Sequence, residues 1–350
     1  MNLSHDYHQI TNLNNGVMVM NKYVLVIFWI LGNIGNIFSI FIFTKKSWKK
    51  NVCVFYFKVC LVLNICYLNS TILGAITNFG FNIYLQNSSI ILCKLLYYTS
   101  FLLTTLPPSV LILASIDRLL ISSQNIDTRL YSSKRLAYFS ISTCTLFWII
   151  FNCHVLIKID IYEIYPSYFI CSFPQSYNDF VTYSLGTINV LFCSLMIILC
   201  IFACKNVQNI QSVQCRKRHE VRSMTKKDFQ LLRCLFVQDI IFITFSMLVI
   251  IFYIFEAITK DKQWTLLQLT ILNFVDRYVT FLFNISYSTN FFVFMIISKA
   301  FRHELKHIIY KCFNIDLQPT RDEEHHRHEH IDRNNVGLNV VIVSTIELPK

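Results

Sequence analysis

Seven apolar runs, each long enough to cross a bilayer as a helix, constrain this chain more than any other feature of its sequence. They cover roughly residues 23–44, 53–77, 92–121, 135–157, 180–204, 229–257 and 267–297. A hydrocarbon core about 30 Å thick is crossed by ~20 helical residues. In lipid the backbone polar groups must be satisfied within the segment, so runs of this length are expected as helices. The fold class predicted is an all-α membrane protein, a seven-transmembrane helix bundle. Only 15% of residues are charged, 54% are hydrophobic and 31 are Phe, whereas a soluble domain carries about 25% charged residues. The net charge of +11 does not indicate a nucleic-acid partner. Nearly all of its Lys and Arg sit in short segments between the runs, where membrane lipids are the expected partner.

Those basic segments set the orientation. Lys45, Lys46, Lys49 and Lys50 follow the first run, and Arg118, Arg129, Lys134 and Arg135 surround the next loop on that side. Arg216, Lys217, Arg218, Arg222, Lys226 and Lys227 fill the third, and Lys299, Arg302, Lys306 and Lys311 follow the seventh run. The positive-inside bias predicts an extracellular N-terminus over 1–22, a bundle over 23–298 and a cytoplasmic C-terminus. Residues 1–22 have no basic n-region or small-residue cleavage site, so no removable signal peptide is expected. Two sequons, at Asn2 and Asn87, fall on the exterior face as glycosylation candidates, while those at Asn69 and Asn284 lie inside runs and read as chance matches. Of thirteen cysteines, most lie in or beside apolar runs, where a thiol behaves as a small hydrophobe. Only Cys93 and Cys171 border the weakly charged outer loops, so one disulfide is expected, on the oxidising side.

Within the runs, polar residues recur in a particular order. The first carries Gly35-Asn36, the third extends from Cys93 to Asp117-Arg118-Leu119, and the fourth carries Trp148. Cys171 precedes the fifth, the seventh contains Asn290-Phe291-Phe292-Val293-Phe294, and Phe301-Arg302-His303-Glu304-Leu305 follows it. Over about residues 23–313 this resembles the rhodopsin-like (class A) G-protein-coupled receptor family, as a divergent member. The resemblance implies a plasma-membrane receptor, not an enzyme, that uses no cofactor and couples an extracellular ligand to a heterotrimeric G protein. It implies an amphipathic surface helix over 299–313, with Cys312 as a palmitoylation candidate, and a disordered cytoplasmic tail over 314–350. It also implies that Cys93 pairs with Cys171, and that Arg118, which Asp117 can neutralise locally, is held inactive by a carboxylate at the start of run six, for which Asp228 is the candidate. By the same resemblance Asn290 and Phe294 are expected to take part in activation, and Asn36, Asn64 and Asn290 to converge as an interhelical polar network.

The residues also have a reading of their own. A charge in a membrane helix costs ~2.5–3.5 kcal/mol on insertion scales, so Asp117-Arg118 at the end of a long apolar run marks either a function or a simple interfacial ion pair. Amides bonding across helices contribute ~0.6 kcal/mol each, which positions helices more than it stabilises them.

Several positions depart from the family pattern. Asn64 stands where the family has a sodium-binding aspartate and Pro107 where it has a serine, so no cation site is expected. Runs five to seven contain no proline, and Pro107-Pro108 is expected to bend run three instead. The run-six C-W-x-P signature is absent. Ser100 replaces the aspartate that aminergic receptors use, and Asn284 the lysine of opsins. The outer mouth offers Asp160, Glu163, Asp179, Glu256, Asp276 and Arg277; Ser100, Glu256, Asp276 and Arg277 are the ligand-pocket candidates. An acidic, aromatic rim suits a basic peptide, and a merely solvated rim would carry the same charges. Two other readings stay open: a seven-span transporter or channel, for which Asp239 deep in run six is the one pointer, and a receptor-like protein that does not couple. His303-Glu304-Leu305-Lys306-His307 fits H-E-x-x-H, but Phe301, Leu305, Ile308 and Ile309 at helical spacing suit a helix lying on a membrane, and no metal is expected.

Overall fold

A computed structural model describes residues 3–49, 51–123, 128, 131–166, 168–216, 226–260 and 262–312. Asn2 and the tail over 314–350 lie outside the described residues, as does the side chain of Cys312. Among the described residues, seven helices are long and apolar enough to cross a membrane. The first, α1, is assembled from Leu3–Val19, a π turn over Met20–Val24 and Leu25–Phe43. It starts well before the apolar run does, because residues 3–19 are helical and pack against the seventh span. The second, α2, spans Val52–Gly80 and contains two π segments, Leu68–Ile72 and Ile76–Gly80. Then follow α3 (Ile90–Ile121), α4 (Lys134–Lys158, interrupted at Asn152), α5 (Gln175–Arg216) and α6 (Lys226–Ile258). The seventh run gives two helices, α7 (Leu266–Ile285) and α8 (Asn290–Ile297), and a further helix α9 occupies Lys299–Cys312. The chain forms two units divided after Arg302, so the bundle described below belongs to the first.

The outward faces explain why lipid is the appropriate solvent. Ile30, Ile34, Ile37 and Phe41 on α1, and Leu191, Leu195, Ile198 and Phe202 on α5, stand exposed in continuous apolar stripes. Stripes of this extent are not left facing water in a monomeric soluble protein. α3 is the central helix, packed against α2, α4, α5 and α6. Of its most apolar window 61% is buried, and no other span exceeds 39%.

Small residues set the closest approach in the bundle. A Cβ on Gly35 would lie 2.6 Å from Phe291 Cβ, and one on Gly32 would lie 2.8 Å from Ser288 Cβ. Membrane helices gain from close backbone packing at such positions, since lipid supplies no hydrophobic drive for association. Here the glycines seat α1 against the joint between α7 and α8.

That joint replaces the kink that proline would have made. Ser286, Tyr287 and Ser288 bond back three residues through their N–H groups, to Phe283, Asn284 and Ile285. The Ser286, Ser288 and Thr289 hydroxyls donate to the carbonyls of Phe283, Ile285 and Ser286 at 2.7, 2.9 and 3.0 Å. The hydroxyls thus add a second bond to the Phe283 and Ile285 carbonyls, which already accept the tightened N–H bonds, and Thr289 serves the Ser286 carbonyl, which helps keep a break without proline satisfied at membrane depth. Asn36 Nδ2 reaches across from α1 to the Tyr287 carbonyl at 3.3 Å.

Pro107 and Pro108 lie within one continuous helix. Pro108 has no N–H for the Thr104 carbonyl one turn earlier, and the Tyr287 hydroxyl donates to that carbonyl at 3.2 Å instead. Tyr287 is buried and stacks on Tyr67 with ring centroids 3.8 Å apart, while Tyr67 donates to Asn284 Oδ1 at 2.6 Å. Leaving a carbonyl bare in such surroundings costs about 1–3 kcal/mol. Tyr287→Phe is accordingly expected to lower the thermal-unfolding midpoint of the purified protein; an unchanged midpoint would remove the cap from this account.

Candidate functional site

At one end of the bundle the site is built around Arg118, the fourth-from-last residue of α3 and wholly buried. Its guanidinium donates to Asp117 Oδ2 through Nη2 at 2.6 Å and Nε at 3.2 Å, and to Asp228 Oδ1 on α6 through Nη1 at 3.4 Å. A buried ion pair offsets its desolvation only when further hydrogen bonds complete it, and here they do. Ser132 Oγ donates to Asp117 Oδ1, and Asn51 Nδ2 donates to Asp228 Oδ1. Asn51 also caps α2, its Oδ1 accepting from Cys53 N at 2.9 Å. One side chain thus starts a helix and fixes the carboxylate that ties α6 to α3.

Sequence reasoning had Asp117, Arg118 and Asp228 but not Asn51 or Ser132 as their supports. Asn51 carried a usable signal, an N-cap residue type immediately before an apolar run; Ser132 carried none. Asp239 lies further into α6, 1% exposed, accepting from Ser115 Oγ at 3.0 Å and Cys200 Sγ at 3.5 Å. It lines a small cavity of about 20 Å3 that Arg118 also lines.

The three amides of the expected network lie around Tyr287. Asn64 and Asn290 line one cavity of about 20 Å3 together with Pro107, Gln238 and Tyr287, but Asn36 bonds the Tyr287 backbone. Asn64 Oδ1 and both polar atoms of Gln238 are enclosed there without a protein partner, which makes the cavity a place for water. The named groups around it are uncharged. Phe294, 1% exposed, packs edge-on to Phe43 and Phe57 at 4.9 and 5.1 Å, and is an aromatic core residue of this end.

The other end is tied by the Cys93–Cys171 disulfide. Strands β1 (Asp160–Tyr165) and β2 (Tyr168–Ser172) form an antiparallel hairpin in which Ile161 pairs with Cys171, so the bond fastens the hairpin to α3. Ile159, Ile161, Tyr97 and Phe173 pack around it. Asn87 Oδ1 accepts from Cys171 N at 3.0 Å.

Beneath the hairpin end lies a cavity of about 380 Å3. Ser100 and Arg277 line it, along with Tyr67, Phe101, Tyr253 and Asn284; Glu256 and Asp276 do not. The acidic rim is also partly neutralised. Asp179 pairs with Lys260, and Asp276 approaches Arg277 Nε at 3.7 Å. The Asn69 amide bonds Asn33 on an exposed helix face, and the Asn284 amide accepts from Tyr67 within the bundle. Among the described residues, no group of three or more His, Cys, Asp or Glu side chains is arranged to hold a metal. No family model and no curated protein matches the chain.

Proposed function

We propose that this chain is a plasma-membrane receptor of the rhodopsin-like G-protein-coupled class, with its N-terminus outside and its C-terminus in the cytoplasm. The observation that carries the reading is the buried Arg118, held by Asp117 on its own helix and by Asp228 on α6. It lies about 27 Å along α3 from Ser100 in the large cavity, at ~1.5 Å per residue. A ligand in that cavity that binds better when α6 has parted from α3 shifts the population toward that state, and only such differential affinity can do so. The parted helices offer the C-terminal segment of a G-protein α subunit an apolar cleft with Arg118 at its centre. Basic loop residues then face anionic inner-leaflet lipids at ~1 kcal/mol each, and Leu305, Ile308 and Ile309 of α9 rest on the membrane surface. Asn2 and Asn87 are glycosylation sites and Cys312 a palmitoylation site in this reading.

The test is guanine-nucleotide exchange in membranes of cells expressing the chain, against Arg118→Ala matched for surface amount. Exchange above that of untransfected cells is expected for the wild type and not for the variant. Equal exchange in both would reduce Arg118 to a structural charge. If neither chain exchanges but cells expressing it carry an ion flux that Asp239→Asn abolishes, the transporter reading replaces this one.

A further inference from the structure

The large cavity differs from the acidic rim above it in the sign of its charge. Of the side chains lining it, Arg277 is the one charged at neutral pH. Its guanidinium lies over the Phe79 ring, 4.1 Å from the centroid. A guanidinium held against an aromatic face still has the N–H groups of its planar fork to offer a partner, and such a fork grips a carboxylate through two parallel bonds. Among the described residues those N–H groups make no hydrogen bond; the Asp276 carboxylate comes only to 3.7 Å of Nε, leaving both Nη groups. Phe79 belongs to the π segment closing α2, which brings its ring to α7. The adjoining Asn78, also on the lining, has an enclosed Oδ1 with no partner.

Most of the hydroxyls and amides on the walls are already occupied. Thr71 donates to Ser100, Asn189 to the Leu185 carbonyl, and Asn284 accepts from Tyr67. The floor is aromatic and aliphatic, from Tyr67, Phe101, Val249 and Phe283. Arg277 stands two turns before Asn284 on α7, about 10 Å above that floor.

We infer that the cavity binds a ligand carrying a carboxylate, held by Arg277, on an aromatic or aliphatic body about 10 Å long. This rests on the receptor reading for its consequence, though not for the binding itself. The carboxylate belongs either to a small organic acid or to the free C-terminus of a peptide whose other residues meet the acidic rim.

Binding is measured on the purified full-length protein in detergent, without G protein, as the shift in thermal-unfolding midpoint and by calorimetric titration. The probes are 3-phenylpropionate, indole-3-propionate and decanoate, their primary amides and the corresponding amines. A second arm uses Lys-Arg-Phe and Arg-Phe-Leu tripeptides as free acids and as C-terminal amides. An acid is expected to bind at least about tenfold tighter than its amide, and the preference to vanish in Arg277→Gln. Arg277→Lys recovers part of it, and Asp276→Asn, which removes the competing carboxylate, tightens acids severalfold. A preference confined to the tripeptides assigns the carboxylate to a peptide terminus, and one confined to the small probes assigns it to an organic acid. The inference is overturned if amides or amines bind as well as acids, if no acid binds, or if Arg277→Gln leaves the preference intact. An amine whose binding is lost in Asp276→Asn would reverse the sign of the site. Acids that bind to a chain whose nucleotide exchange does not depend on Arg118 would leave the site standing and remove the receptor reading. Arg118-dependent exchange with no acid binding would do the opposite.

Discussion

Replacing Asp228 with asparagine is expected to raise basal nucleotide exchange about tenfold over the wild type at equal surface amount. Asp228 supplies the contact from Arg118 that leaves α3, while the two stronger bonds to Asp117 stay on the same helix. A hydrogen bond involving a charged group contributes about 1.5 kcal/mol at the weak end of its range, and at 3.4 Å this one belongs there. About 1.4 kcal/mol is a tenfold change in the ratio of two states. Asn51 and Arg118 both donate to Oδ1, so the amide oxygen put in its place still accepts from Asn51 and the cap of α2 survives, while the tie to Arg118 loses its charge. Asp117→Asn is the contrasting variant. It strips the buried guanidinium of its closest carboxylate and is expected to cost several kcal/mol of stability, seen as lost surface protein. Basal exchange in Asp228→Asn at or below the wild-type level would show that the α3–α6 contact does not restrain the protein.

Removing the disulfide, as Cys93→Ser with Cys171→Ser, is expected to cost about 2–4 kcal/mol at the hairpin end. The bond closes a sequence separation of 78 residues, across α3 and α4. The chain-entropy model places such a loop near the upper end of that range. Two inserted helices within that loop already restrict the unfolded chain, so the lower half is the better expectation. Both sulfurs sit among Ile159, Tyr97 and Phe173, so two hydroxyls would also be left in an apolar cluster. The hairpin should then become sensitive to protease in intact cells, and the protein should melt earlier. A hairpin as resistant as in the wild type would mean that strand pairing and the Asn87–Cys171 bond suffice to hold it.

The seven spans and the charged residues around Arg118 were legible in the sequence for a simple reason. Transfer of side chains to lipid is governed by composition over ~20 residues, and a charge at the end of such a run stands out against it. The helix over residues 3–19 was not legible, since Asn-rich polar sequence gives no apolar run, and its contacts with α7 are what hold it. The break between α7 and α8 escaped for a different reason. Proline announces a kink, whereas Ser286, Ser288 and Thr289 are also ordinary in an unbroken membrane helix. Nor could spacing reveal that Tyr287 completes the helix-three carbonyl freed by Pro108, because that bond joins residues 183 positions apart. Of the four pocket candidates, Ser100 and Arg277 lie on the cavity lining, whereas Glu256 and Asp276 lie off it. Helical periodicity gives the face of a side chain only to within a wide arc, which cannot separate neighbours such as Asp276 and Arg277.

The joint at Ser286–Thr289 also bears on how such a protein can change over generations. A proline kink is present or absent, and losing it restores a straight helix in one step. A break stitched by three hydroxyls can be loosened or tightened one oxygen at a time, since Ser→Ala and Thr→Val keep nearly the same volume. Its stiffness is therefore a graded trait that drift can tune without passing through a misfolded intermediate.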